Sequence, residues 1–151
     1  MAISKYNSEG YHDPTTYEAL KTVEKEERAA KKAVNSYKPD EFRPLVYICS
    51  PYRGDTAKNV EKARNYSRFA IESKAIPMAP HLLYPQFMDD SNPEERYLAI
   101  HTINYVLVGK CQEMWVFGET VSDGMAREIA LAERRRMKIR YFTETMEVAK
   151  R

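Results

Sequence analysis

The sequence predicts an α/β domain of three layers. A parallel sheet of about four to five strands carries helices on both faces, and a helical extension precedes it. Three observations carry this. Short apolar runs rich in β-branched and aromatic residues recur from Leu45 onward. Helix-length stretches separate them, as βαβ crossovers require. Composition changes near residue 44, from polar and charged to apolar and periodic. Residues 1–44 therefore read as a helical extension with its linker, and 45–151 as the α/β domain.

The extension contains "DPTTYEALKTVEKEERAAKKAVNSY" (13–37), which predicts one helix. Asp13 is a good N-cap, and Pro14 suits the first helical position. Its apolar stripe is thin (Tyr17, Leu20, Val23, then alanines), so it needs the body or a second subunit to dock on. "KPDEFRP" (38–44), bracketed by prolines, is the linker. "LVYICS" (45–50) is the first strand, and "SPYRGD" (50–55) has turn chemistry. "TAKNVEKARNYSRFAIES" (56–73) is a helix with Val60, Ala63, Phe69 or Ala70, and Ile71 available for burial. "AIPMAP" (75–80) is a short strand whose prolines suit an edge. "HLLYPQFMDDSNPEER" (81–96) reads as an aromatic loop. "YLAIHTINYVLVGK" (97–110) reads as a helix apolar enough to be buried on several sides. "EMWVFG" (113–118) is the third strand, "DGMAREIALAERRR" (123–136) a helix, and "KIRYF" (138–142) the fourth strand.

Bulk properties narrow the function classes. With 24 Lys+Arg against 22 Asp+Glu, the net charge of +2 gives no argument for a nucleic-acid or membrane surface built on bulk charge, and none is expected. Cys49 and Cys111 lie in strand-like contexts without CxxC spacing, which suits buried thiols in a reducing compartment. "MAISKYNSEG" has no apolar signal region, and Tyr97–Gly109 is too short and polar to span a bilayer. A cytoplasmic protein is expected. His12, His81 and His101 lack metal-ligand spacing, so no metal is expected, and no cofactor either.

In open parallel sheets the ligand lies beyond the C-terminal ends of the strands. That rule selects "SPYRGD", "PHLLYPQFMDD" and "GETVSDG". The first leads into a helix N-terminus suited to an anion, with Gly54 for close approach, Arg53 as charged donor and Tyr52 as a stacking face. It is neither a Walker loop nor GxGxxG. In the third, Ser122 is a natural N-cap, Gly124 permits close approach, and Glu128 falls within the first two turns. A carboxylate there is expected to stay ionised under the helix dipole, as a nucleophile or general base requires. Met125, Ile129 and Ala132 form an apolar stripe beside it. A capping or ion-paired Glu128 is the plainer alternative. His81, at the end of the second strand, can bond a base or phosphate, or be structural. Arg96 can meet a phosphate, but pairing with Glu94, Glu95 or Asp90 ranks first. Trp115 and Phe117 read as core, and Tyr47 and Cys49 as strand interior.

"YICSPYRGD", "PMAPHLLYPQFMDD", "EER", "EMWVFG" and "SDGMAREIALA" together resemble the nucleoside 2-deoxyribosyltransferase superfamily, over Leu45 to Phe142. The resemblance is nearest to an uncharacterised bacterial and phage branch, DUF4406-like. It implies a Rossmann-like, specifically flavodoxin-like, fold. It also implies Glu128 as the nucleophile on the anomeric carbon, sugar or phosphate contacts at Ser122 and Gly124, and a sugar-phosphate wall from Ser50 to Gly54. Homo-oligomers are implied too. The chain departs from the pattern at Ala126, where relatives often carry a second glycine. It departs again at Asn104, in the region where they place an acid for the leaving base; Asp90 (or Asp89) is the candidate substitute. The expected activity is N-glycosidic hydrolysis or 2-deoxyribosyl transfer on a (deoxy)nucleoside or its 5′-monophosphate, with Glu128 and Asp90 catalytic. Ser50, Tyr52, Arg53, Gly54, His81, Arg96, Ser122 and Gly124 would bind substrate. The alternatives are an inactive nucleotide-binding or sensing module, and an interaction protein working through residues 1–44.

Overall fold

The computed structural model describes residues 4–6, 8–34 and 40–150. It divides into two compact units, Met1–Phe42 and Arg43–Arg151. In the first, helix α1 spans Pro14–Ala33. Asp13 caps it by accepting from the Thr16 backbone N–H at 3.0 Å and the Thr16 hydroxyl at 2.7 Å. Leu20 and Val23 stay about half exposed, so the stripe is as thin as its sequence. Residues 35–39, which include the end of the expected helix and the start of the linker, lie outside the described residues.

The second unit carries strands β1 (Leu45–Cys49), β2 (Ile76–Met78), β3 (Glu113–Phe117) and β4 (Lys138–Phe142), all parallel in the order β2-β1-β3-β4. The continuously apolar β1 and β3 are central and buried, as parallel strands covered on both faces must be. The proline-containing β2 is an edge. Helix α2 (Thr56–Glu72), capped by Asp55, covers one face. Val46, Ile48, Trp115, Phe117 and Phe142 meet Tyr66 and Ala70 there. The buried residues of α2 are Ala63, Tyr66 and Ala70. Ile71, expected inside, points about 100° away from Ala70 and is half exposed.

The stretch expected as a loop contains helix α3 (Pro80–Leu83), a 3-10 turn (Tyr84–Gln86) and the start of helix α4 (Pro93–Leu98). Each has a proline in its first turn, where a missing N–H costs nothing. The next helix therefore begins at Pro93, not Tyr97, with Asn92 as its cap. It passes through a π-helical turn (Ala99–Ile103) into α5 (Asn104–Lys110). It is buried along one side only: Tyr97, Leu98, Tyr105 and Val106 are exposed. Helix α6 (Asp123–Arg134) joins α5 on the second face of the sheet, over Tyr47, Cys49, Met114 and Val116. Among the described residues no helix is long and apolar enough to cross a membrane.

Candidate functional site

The loops after β1, β2 and β3 converge on one cavity of about 480 Å³, bounded on its remaining side by α4, the π turn and α5. Glu128 forms part of its wall and is only 9% exposed. The reason lies in the spacing of α6, where Met125, Glu128 and Ala132 are the buried residues. At i, i+3 and i+7 they share the face turned to the sheet. The carboxylate thus stands inside an otherwise apolar stripe.

Two side chains hold it. The Tyr47 hydroxyl donates to Oε1 at 2.8 Å, and the Asn104 amide donates to the same oxygen at 3.3 Å. Oε2 is buried and has no hydrogen-bond partner among the described residues. Burial pushes the Glu128 carboxyl up to about 7, against the opposing pull of the Tyr47 hydroxyl and the Cys49 thiol. The expectation of a carboxylate kept ionised by its helix is therefore corrected. The dipole fades within the first turn, Glu128 lies beyond it, and desolvation prevails. Tyr47 and Cys49 are pushed up too, by burial and by the nearby carboxylate.

The other expected residues fall as follows. Ser122 and Gly124 line the cavity at the start of α6, with the Ser122 hydroxyl accepting from the Met125 N–H at 3.3 Å. Ser50 is buried at the end of β1, lines the cavity, and its hydroxyl has no partner among the described residues. Tyr52 and His81 line it as a stacked pair, ring centroids 4.8 Å apart and 12° from parallel. Burial lowers the His81 pKa, partly offset by its bond to the Ser50 backbone and by the charge of Asp90. Arg53 and Asp90 face each other at 3.5 Å, both well exposed. Arg96 lines the cavity without an ion pair among the described residues. Two of its three expected partners are engaged elsewhere, Glu95 by the Asp89 N–H and Asp90 by Arg53. Asp89 caps Ser91 in the loop.

Gly54 stands apart from the cavity wall. Its φ of +95° needs a glycine, but a Cβ there would meet nothing within 4 Å. The start of α2 is likewise closed by its Asp55 cap, which accepts from the Lys58 N–H at 3.2 Å. The N-terminus of helix α6 does border the cavity. Among the described residues no cluster of three or more His, Cys, Asp or Glu is placed to hold a metal.

Tyr47, strand interior by its sequence context, is a holder of Glu128 that the sequence reading misses. Its available signal was chemical: a buried tyrosine hydroxyl needs a partner, and strand parity separates Tyr47 and Cys49 from Val46 and Ile48.

Residues 44–142 match the family described as a domain of unknown function, DUF7768. The chain belongs to that family. The DUF7768 region spans β1 to β4 and so holds the whole sheet and cavity. Among solved structures the chain is similar to a 2-deoxyribosyltransferase from the psychrotolerant bacterium Bacillus psychrosaccharolyticus, a biocatalyst for the synthesis of antiviral and antitumoral nucleosides. The TM-score is 0.52 at 17% identity, covering 70% of this chain and 77% of that one. This likeness shows a shared flavodoxin-like fold for the DUF7768 domain. No curated protein matches the chain.

Proposed function

We propose that this DUF7768 domain acts on the N-glycosidic bond of a (deoxy)nucleoside or nucleoside 5′-monophosphate, with Glu128 as nucleophile. The observation that carries the reading is a buried carboxylate in the wall of a cavity of nucleoside size, with one oxygen anchored and the other without a hydrogen-bond partner among the described residues. The deoxyribosyltransferase likeness of the fold supports it. The finer placement in a DUF4406-like branch rests on the sequence motifs alone.

In this reading Glu128 acts ionised, at or above neutral pH. Its free oxygen bonds to C1′ as the C1′–N bond breaks, and the bonding pair leaves with the base. Asp90, at the cavity wall, meets the leaving base by hydrogen bond or proton transfer. Water then releases the sugar as a hydrolase would, or a second base takes it as a transferase would. The Tyr52–His81 stack offers an aromatic face to a base. Ser50, Ser122 and Gly124 lie where sugar or phosphate oxygens would be held, and Arg53 and Arg96 supply positive charge.

Homo-oligomerisation belongs to the same reading. Tyr97, Leu98, Tyr105 and Val106 leave an exposed apolar stripe on the helix beside the cavity. A single monomeric species in sedimentation velocity would remove that part.

The primary test is release of free base. Ribo- and deoxyribonucleosides and their 5′-monophosphates are incubated with the protein and with Glu128→Gln, then resolved by chromatography. Base released by the parent alone is the expected result. No release across the panel, with thermal stabilisation by a nucleotide retained, would overturn catalysis in favour of a binding module.

A further inference from the structure

The amide of Asn104 donates to Glu128 Oε1. How it reaches that oxygen is a matter of helical phase. Upstream, Glu95, Arg96, Ala99 and Ile100 border the cavity. An unbroken α-helix would next present Ile103 and Leu107 to the same side, at i+3 and i+7 from Ile100. The π turn inserts one residue, and the Asn104 N–H bonds to the Ala99 carbonyl five residues back. Everything downstream is turned by roughly 100°. Asn104 and the fully buried Val108 consequently take the places of Ile103 and Leu107. Without the extra residue Asn104 would swing off the crevice, and an isoleucine would face the carboxylate.

We propose that Asn104 is a positioning residue for Glu128, carried into place by the π turn at Ala99–Ile103. With Tyr47 it pins Oε1 from two elements, while Oε2 stays buried and makes no hydrogen bond among the described residues. The identity of the residue matters. An aspartate at 104 has no proton to donate when ionised and would repel the carboxylate, whereas the asparagine amide favours its ionised form. The position thus serves the nucleophile side of the reaction proposed above, on which the catalytic part of this inference rests.

Other groups also act on Glu128 or share its cavity. From β1 come the Tyr47 hydroxyl and the Cys49 thiol. The remaining cavity wall carries His81 on α3, Asp90 and Arg53 in the loops, and Glu95 and Arg96 on α4. On α6 itself lie Asp123 and Arg127.

The experiment follows the Glu128 carboxyl by 13C NMR in protein labelled at the glutamate carboxyl, with its resonance assigned by Glu128→Gln. The parent is compared with Asn104→Ala and the near-isosteric Asn104→Asp. The expected order of titration midpoints is parent, then Ala, then Asp, the last raised by about one pH unit or more. A local packing defect would not rank the variants by charge. Where base is released, the acid limb of the pH profile should move with the midpoint. Near pH 6 a one-unit shift lowers the rate about tenfold. Unchanged midpoints in both variants overturn the proposal. The titration needs no turnover. Shifted midpoints with a blank base-release panel therefore keep the anchoring of Oε1 and remove the glycosidic reading.

Discussion

The two faces of the sheet are built from alternate residues of the same strands, yet they are different materials. On the α2 face Val46, Ile48, Trp115, Phe117 and Phe142 close on Tyr66 and Phe69, ring against ring. Tyr66 stacks on Phe117 at 4.2 Å, and Phe117 on Phe142 at 5.0 Å. On the α5–α6 face the buried residues are smaller and softer: Cys49, Val108, Cys111, Met114, Met125, Ala132, with Tyr47 as the aromatic exception. Small side chains leave room for a cavity, and within that layer sits Glu128. Large rings bury the most apolar area per residue. One face thus supplies much of the hydrophobic stabilisation, while the other tolerates a carboxylate that burial disfavours.

The most severe way to break this contrast is to remove the carboxylate. Glu128→Gln should lower base release by about 10³-fold or more, while the fold gains stability at alkaline pH. The sign follows from protonation. The carboxyl's ordinary value is 4.5 and the folded value about 7. Between them the folded chain keeps a proton that the unfolded chain has lost, so stability falls as pH rises through that window. The total is roughly 3 kcal/mol. Urea unfolding of the parent should therefore weaken from about pH 5 to 8. Glu128→Gln should remove that slope, and a parallel slope in both proteins would contradict the buried carboxylate.

A change confined to the other face sharpens the contrast. Phe117→Leu empties part of the ring cluster and should cost about 1–3 kcal/mol, read from the urea midpoint. The Glu128 titration should not move. A shift would mean that the two layers are coupled through the sheet.

How far these layers were legible in the sequence divides along the same line. The four strands and the capping roles of Asp13 and Ser122 follow from local chemistry, and the structure has them. The convergence of three loops followed from parallel topology alone. The prolines that start the short helices α3 and α4 signal a break as readily as a first turn, so residues 81–96 read as a loop. The π turn left no recognisable mark on the apolar run 97–110. Nothing local joins Tyr47 and Asn104 to Glu128 as its holders, because which helix covers which face is a tertiary fact. The charge state of Glu128 is hidden for a similar reason: position along α6 is legible in the sequence, and depth is not.

Tyr47→Phe tests the crevice face with one atom. Removing the hydroxyl takes a 2.8 Å donor from the ionised carboxylate, so the Glu128 midpoint should rise by about one pH unit. A hydrogen bond to a charged group contributes about 1.5–3 kcal/mol. That loss should register in stability above neutral pH and fade below it, where Glu128 is protonated. A uniform loss at all pH values would mean that Tyr47 acts through packing instead.

The smallest expected effect lies where α5 meets α6, at the border of the crevice face. The Arg135 guanidinium lies over the Tyr105 ring at 4.4 Å and across the bare backbone of Gly109. A Cβ at 109 would overlap its Nη1 and stand 2.9 Å from Cζ. What must move is the far end of a flexible side chain, so Gly109→Ala should swing Arg135 outward rather than part the helices. The lost stacking costs about 0.5–1 kcal/mol. Alanine in a helix recovers about 0.8–1 kcal/mol over glycine, and Nη1, buried without a partner among the described residues, regains water. The terms nearly cancel. Thermal melting of Gly109→Ala should therefore fall within a few degrees of the parent, or slightly above it, with the Glu128 midpoint unchanged. A large loss would show that Arg135 clamps α5 against α6, and with it the helix that carries Asn104.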